Sequence, residues 1–285
     1  MQLDRLWILL SLALLLGCGS HVEIDNNRVW HAGHPSFADD GSDDVIFIKK
    51  KMDEGLVFPP LQGWTGKTNP RFSVHKGRSL SNNQTITGIY SGYALELFYM
   101  KEAGYIALTY LRQPEEARGG MVFGLDGTER LRLEPEDFSF KPERFKLIPS
   151  RDGSTLAAIA TRTDWESLSD GLYTIDFEVQ FYDATSMAPL LESTVTRQLK
   201  TLYDARLPVF TWENAETLLI TDNESGAFLI DVAGVVTDTA LPTCTRPSSS
   251  SSRYSPARGE FLEVEDDAIV VSDNYQIMGL PLCGE

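Results

Sequence analysis

Ser73-Val-His-Lys76 sets a serine three residues before a lysine, a spacing at which one helical turn would present an amine to the hydroxyl as its base. Ser272-Asp-Asn274 would be a second element of the same acyl-transfer chemistry, but no Lys-Thr-Gly follows it and no helix is in prospect to carry the serine. Gly66-Lys67-Thr68 has the closing residues of a phosphate-binding loop; the opening glycine would fall at Leu61, and no strand-to-helix context surrounds it. His31 and His34, near Asp39 and Asp40, could touch a metal, yet a closed site needs four ligands in fixed geometry. The acidic stretch Asp39-Asp-Gly-Ser-Asp-Asp44 misses the spacing of a calcium loop and is expected to be a solvated turn. No catalytic residue, metal or cofactor is therefore assigned. Trp64, after Phe58-Pro-Pro60, and Trp165, between Asp164 and Glu166, are the candidate binding residues, because tryptophan on a loop suits the centre of an interface.

The elements that would position these residues begin with an address. Residues 6–16 form an apolar run too short to span a bilayer but long enough for the core of an export signal. The run closes on Leu15-Leu16-Gly17-Cys18, which resembles the lipobox of bacterial lipoproteins. The resemblance implies that the thiol of Cys18 takes a diacylglyceryl group, that cleavage precedes it, and that the new amino terminus is acylated. Several acyl chains anchor stably where one would not. Gly19 stands where that family carries an aspartate for inner-membrane retention, so the resemblance implies the outer membrane. The expected organisation is a signal peptide over 1–17, a lipidated tether over 18–34 and a folded body over 35–285.

A formal charge of −16 repels nucleic-acid phosphates and anionic headgroups, which argues against nucleic acid as a partner. With Cys18 lipidated, Cys244 and Cys283 remain as an even pair and are expected to form a disulfide. A loop of about 40 residues closed in this way is worth roughly 4 kcal/mol in the chain-entropy model.

Helical periodicity is scarce after the signal, and short β-branched and aromatic runs alternate with Gly, Asp, Asn and Pro, so the chain reads as all-β. A turn followed by an apolar strand recurs around Val45, Ala107, Leu156, Leu218 and Leu262. Behind four of these comes a strand ending in Asp and a second turn: Phe123-Gly-Leu-Asp-Gly-Thr128, Phe181-Tyr-Asp-Ala-Thr185, Leu229-Ile-Asp-Val-Ala-Gly234 and Val271-Ser-Asp-Asn274. Short strands separated by two tight turns per period are what a propeller blade needs. The pattern resembles the WD40-like repeats of the TolB type, which implies a single β-propeller, here of five to seven four-stranded blades. Residues 163–171 are expected to be an inserted loop, residues between Val45 and Ala107 to hold room for one short extra blade, and the amino-terminal segment to pair onto the last blade. The expected function is a non-enzymatic, envelope-anchored scaffold for a protein or glycan partner. The alternative is an exported glycan hydrolase or lyase using carboxylates gathered at the central face, where two acidic side chains would have to face each other.

Overall fold

The computed structural model describes residues 22–23, 29–38, 42, 44–56, 68–78, 82–100, 103–112, 117–150, 152–169, 172–191, 194–202, 209–222, 226–240, 254–255, 260–265 and 268–272. Among them there is no α-helix, and none is long and apolar enough to cross a membrane. The strands fall into five antiparallel sheets that follow one another along the chain.

The first sheet contains β1 (Val22–Glu23), β2 (Val29–Phe37), β3 (Val45–Leu56), β4 (Thr68–Gly77), β5 (Asn83–Thr85) and β6 (Tyr90–Ser91). Both β1 and β2 pair with β3, and both β5 and β6 pair with β4, so these six segments occupy four strand positions. The second sheet is β7 (Tyr93–Met100), β8 (Tyr105–Arg112), β9 (Ala117–Gly124) and β10 (Glu129–Leu133). The third is β11 (Arg144–Pro149), β12 (Thr155–Ser169), β13 (Leu172–Asp183) and β14 (Val195–Leu202). The fourth is β15 (Val209–Trp212), β16 (Thr217–Asp222), β17 (Gly226–Asp231) and β18 (Val236–Thr239), and the fifth is β19 (Tyr254–Ser255), β20 (Glu260–Glu265) and β21 (Ala268–Ser272). Each sheet is an up-and-down meander; β7 lies against β2 and β11, and β2 also lies against β19 and β20, so the series of sheets returns to its start. This is a β-propeller, with five blades among the described residues.

The apolar recurrence has a simple cause. Val45, Ala107, Leu156, Leu218 and Leu262 all sit on the second strand of their blade. Such strands face a neighbouring blade on either side, so both faces are buried and the run is continuous. In β12, Leu156, Ala158 and Ala160 join Phe98, Phe145 and Leu147 between the second and third blades. Ala157 and Ile159 face the other way, joining Phe177, Phe181, Leu218 and Phe228 between the third and fourth. A third cluster, with Ile46, Ile48, Phe72, Leu97, Leu108 and Phe123, joins the first and second.

The aspartates are turn makers. Asp126 Oδ1 accepts the N–H of Thr128 at 2.9 Å, Asp183 Oδ1 that of Ser186 at 2.7 Å, and Asp231 Oδ1 that of Val235 at 2.8 Å, all between the third and fourth strands of successive blades. The same turn needs one residue in the left-handed region, supplied by Gly127, Gly234 and, in the third blade, Met187 at φ 58°.

Three expectations are corrected. The amino-terminal strands pair with β3 in the first blade, because their register continues that sheet, and they only pack beside the last one. The stretch after Val45 holds no extra blade among the described residues; β4, β5 and β6 complete the first. Residues 163–169 continue β12, pairing with β13 as far as Asp164↔Thr174 and resuming, after a register shift, at Ser169↔Leu172.

Candidate functional site

The connection from β10 to β11 crosses one end of the second and third blades and builds two adjoining clefts. It starts with a 3-10 turn, Pro135–Asp137, in which the N–H of Glu134 donates to Asp137 Oδ2 at 2.7 Å and the N–H of Asp137 returns to the Glu134 carbonyl at 3.1 Å. Proline at the first position of the turn has no N–H to leave unpaired. Two residues beyond the turn, Ser139 donates its N–H at 2.9 Å and its Oγ–H at 2.5 Å to Oε2 of Glu178 on β13, a carboxylate 3% exposed. The connection is thus clasped from the third blade while the turn stays on the second.

Phe138, between these anchors, separates the two cavities. One, of about 450 Å³, is lined by Arg112, Ala117, Pro135, Phe138, Phe140 and Lys141 among others. The other, of about 350 Å³, is bounded by Arg132, Asp137, Phe138, Gln180, Tyr182 and Thr194. Phe138 packs on Phe145 with ring centroids 5.2 Å apart, and the Arg162 guanidinium lies 5.0 Å from the centroid of Phe140. Gln180 is held by its Nε2 donating to the Leu191 carbonyl at 3.2 Å. Burial, with the charge of Asp137 added, pushes the Tyr182 hydroxyl up to about 12, so it stays a neutral donor. Aromatic walls with a few placed polar groups suit ligand binding.

Behind the larger cleft, Glu134 lies 3.7 Å from Arg112 and 3.6 Å from Arg132, and Arg132 also pairs with Glu129. Tyr110 stands beside them; burial, and then the neighbouring Glu134 carboxylate, raise its hydroxyl above the usual tyrosine range against the pull of Arg132 and Arg112. This network fixes the walls.

At the axis, the first strands of the blades come together. Glu96 on β7 is the one carboxylate on the described first strands of the second to fifth blades, and Lys146 Nζ on β11 donates to its Oε1 at 3.1 Å. Two carboxylates facing each other are therefore not found among the described residues of these strands.

The residues singled out in the sequence are not brought together. Cys18, Cys244, Cys283, Trp64, Gly66 and Lys67 lie outside the described residues. Trp165 sits in β12, on the part of the β12–β13 hairpin that runs past the end of β11, whose pairing stops at Arg144↔Thr161. His31 and His34 are in β2. Ser42 accepts the N–H of Asp44 at 3.1 Å, as expected of a turn there. Ser73 and Lys76 are on strand β4, where neighbouring positions alternate faces, so the helical spacing that would pair them is absent. Ser73 Oγ instead meets His75 Nε2 at 2.8 Å, and Thr85 Oγ1 lies 3.4 Å from Nδ1. The ring is buried and stacked 5.9 Å from Phe47; burial, then Lys49, lower its pKa to about 4 against a hydrogen bond from Asn83, which leaves a neutral, weakly basic imidazole. The cleft residues themselves were not singled out: Phe138, Phe140 and Lys141 carry no motif, and only the Pro-Glu-Asp turn beside them is a local signal.

No family model and no curated protein sequence matches the chain. Among solved structures it is similar to the β-propeller domain of the Trilobed protease from Pyrococcus furiosus, with open velcro topology, at 10% identity, TM-score 0.42, covering 86% of this chain and 64% of that one. It is also similar to an oligogalacturonate lyase in complex with manganese (12% identity, TM-score 0.39, 77% and 58% covered) and to cobalt-substituted apocarotenoid oxygenase of Synechocystis (9%, 0.38, 82% and 56%). The chain spans less than two thirds of the length of each. These likenesses are distant, and nothing about the chemistry of this chain follows from them.

Proposed function

We propose that this protein is a lipid-anchored envelope protein whose propeller is a binding scaffold, with the double cleft around Phe138 as its recognition site for a protein or glycan partner. The observation that carries the reading is the clasped connection: a hydrogen-bonded turn and a buried carboxylate hold an aromatic divider between two open cavities. Ser139, on the wall of the larger cavity, has its hydroxyl committed to Glu178 as part of that clasp. Lipidation of Cys18, an outer-membrane address, a Cys244–Cys283 bond near the carboxyl terminus and kinship with TolB-type repeats complete the reading, supported by the residues of the leader, the even pair of thiols and the turn pattern. Cross-linked capture from cell envelopes tests the site, with the full chain compared against Phe138→Ala. Capture reduced several-fold by the variant is expected, and equal recovery removes the cleft from the proposal. Mass spectrometry of the native protein tests the anchor: a leader still attached, or a terminus at Cys18 without acyl mass, overturns it.

A further inference from the structure

Alternation along β13 gives its two faces different work. Phe177, Val179 and Phe181 join the core shared with the fourth blade, so Glu178, Gln180 and Tyr182 face the second. Glu178 takes the clasp from Ser139, and Gln180 and Tyr182 form the wall of the smaller cavity. Gln180 is 8% exposed, and a polar side chain at that depth is normally fully paired. It is only half paired. Its Nε2 donates to the Leu191 carbonyl at 3.2 Å, while Oε1, buried, meets no donor. Turning the amide over would set two carbonyl oxygens against each other, so the bond to Leu191 fixes the oxygen as the group left over.

The other polar groups of this cavity narrow what it takes. Tyr182 and Thr194 bring hydroxyls that bond no described residue, and the Tyr182 hydroxyl stays protonated. Asp137 takes the N–H of Glu134 on Oδ2 and adds a second acceptor to the lining. Arg132, the cation among the lining residues, is held by Glu129 and Glu134. An anion would meet two acceptors. A cation would have to shed its water to reach a neutral amide oxygen, with Arg132 opposing it. Groups that both give and take hydrogen bonds without charge serve all four positions, and Leu133, Phe138 and Pro189 leave an apolar surface for the rest of the ligand.

We propose that the smaller cavity is a subsite for one neutral sugar ring, whose hydroxyls donate to Gln180 Oε1 and Asp137 while its C–H face lies on Phe138. The inference rests on the double cleft as the recognition site and narrows its partner to a glycan. Its volume of about 350 Å³ is in the range of small-ligand sites. Gln180 and Tyr182 pair with Ala158 and Leu156 of β12, so the wall is set by a sheet and not by a loop. The torsion that carries a glutamine amide is broad, and Oε1 can pivot on the Leu191 bond as a donor arrives.

Saturation-transfer NMR of the purified full chain tests this, with glucose, galactose, mannose and N-acetylglucosamine each titrated for Kd. Transfer to at least one sugar is expected. Gln180→Met, of similar length but without the acceptor, and Tyr182→Phe should each weaken that sugar about 3–10-fold, the loss of one hydrogen bond between neutral groups. Tyr182→Phe gives up no hydrogen bond to a described residue of the free protein, so it decides the matter if Gln180→Met does not fold. Ile89→Ser, at an exposed position of the first blade, should bind as the wild type does. Transfer to none of the four sugars overturns the proposal, and so does an unchanged Kd in either cavity variant. Tighter binding of glucosamine or glucuronate than of every neutral sugar also overturns it. Transfer to N-acetylglycine methylamide but to no sugar does the same, assigning the acceptors to a peptide. Envelope capture separates this from the reading of the cleft: capture lost in Phe138→Ala with no sugar bound by the wild type leaves the cleft and removes the subsite. Sugar binding lost in the cavity variants, with capture unchanged in Phe138→Ala, leaves the subsite and removes the cleft as the partner's site.

Discussion

The indole N–H of Trp212, at the end of the first strand of the fourth blade, donates at 2.9 Å to the main-chain carbonyl of Ile148, on the first strand of the third. Both residues are buried, and the Trp212 ring packs 5.7 Å from Phe181. One side chain therefore links two blades near the axis by a hydrogen bond and by apolar packing. Trp212→Phe keeps much of the packing and removes one of two hydrogen bonds to a carbonyl that also pairs with β12, so a loss of about 0.5–1.5 kcal/mol in unfolding free energy is expected. Denaturant titration of the variant measures it; an unchanged midpoint would mean that the bond contributes nothing net.

His75 gives the fold an acid sensitivity. Its pKa falls from 6.5 when unfolded to about 4 when folded, through burial and then Lys49. Between those values the unfolded chain binds the extra proton. Stability from this group is therefore complete above pH 6.5 and declines as the pH falls toward 4, with a slope of at most about 1.4 kcal/mol per pH unit. His75→Gln should flatten that part of the profile while the stability at neutral pH moves less. If the two proteins have parallel profiles between pH 4 and 6.5, His75 is not the group responsible.

Much of this architecture is readable in the sequence because its causes are local. The second strand of each blade is apolar on both faces, and a turn aspartate bonds an N–H two to four residues ahead, so both leave marks within a short window. The cleft leaves none. Ser139 and Glu178 are 39 positions apart, Lys146 and Glu96 are 50 apart, and each pairing exists only because blades stack. Trp165 shows the opposite failure. Asp164, Ser167, Ser169, Asp170 and Gly171 have the composition of a loop, but pairing with β13, itself paired with β14 as far as Leu172↔Leu202, carries the strand through to Ser169. Tertiary pairing outweighs local preference there.

Met187 occupies the turn position held by glycine at Gly127 and Gly234, and its side chain is 8% exposed in the core between the second and third blades. Two effects compete in Met187→Gly. Relief of left-handed backbone strain contributes about 1 kcal/mol, while removing a buried methionine costs about 2–5 kcal/mol. The packing loss is larger, so the variant should unfold about 1–4 kcal/mol more easily. A variant more stable than the wild type in a chemical melt would show that strain outweighs packing at this turn.

The clasp between Ser139 and Glu178 ties the connection from residue 134 to 143 to the third blade. Both donors of Ser139 converge on a single oxygen of a carboxylate that is almost completely buried, so removing the acceptor leaves two polar groups to find water. Glu178→Ala should cost about 1.5–3 kcal/mol, the range for hydrogen bonds to a charged partner, whereas Ser139→Ala keeps the N–H bond and should cost about half as much. Glu178→Gln retains an acceptor of the same shape and should fall between them. Phe140 lies in the released segment, so brief chymotrypsin digestion should cut after it fastest in Glu178→Ala and slowest in the wild type. A common cleavage rate in all four proteins would mean that Phe138 is held in place by its packing on Phe145 alone, and that the cleft keeps its shape without the clasp.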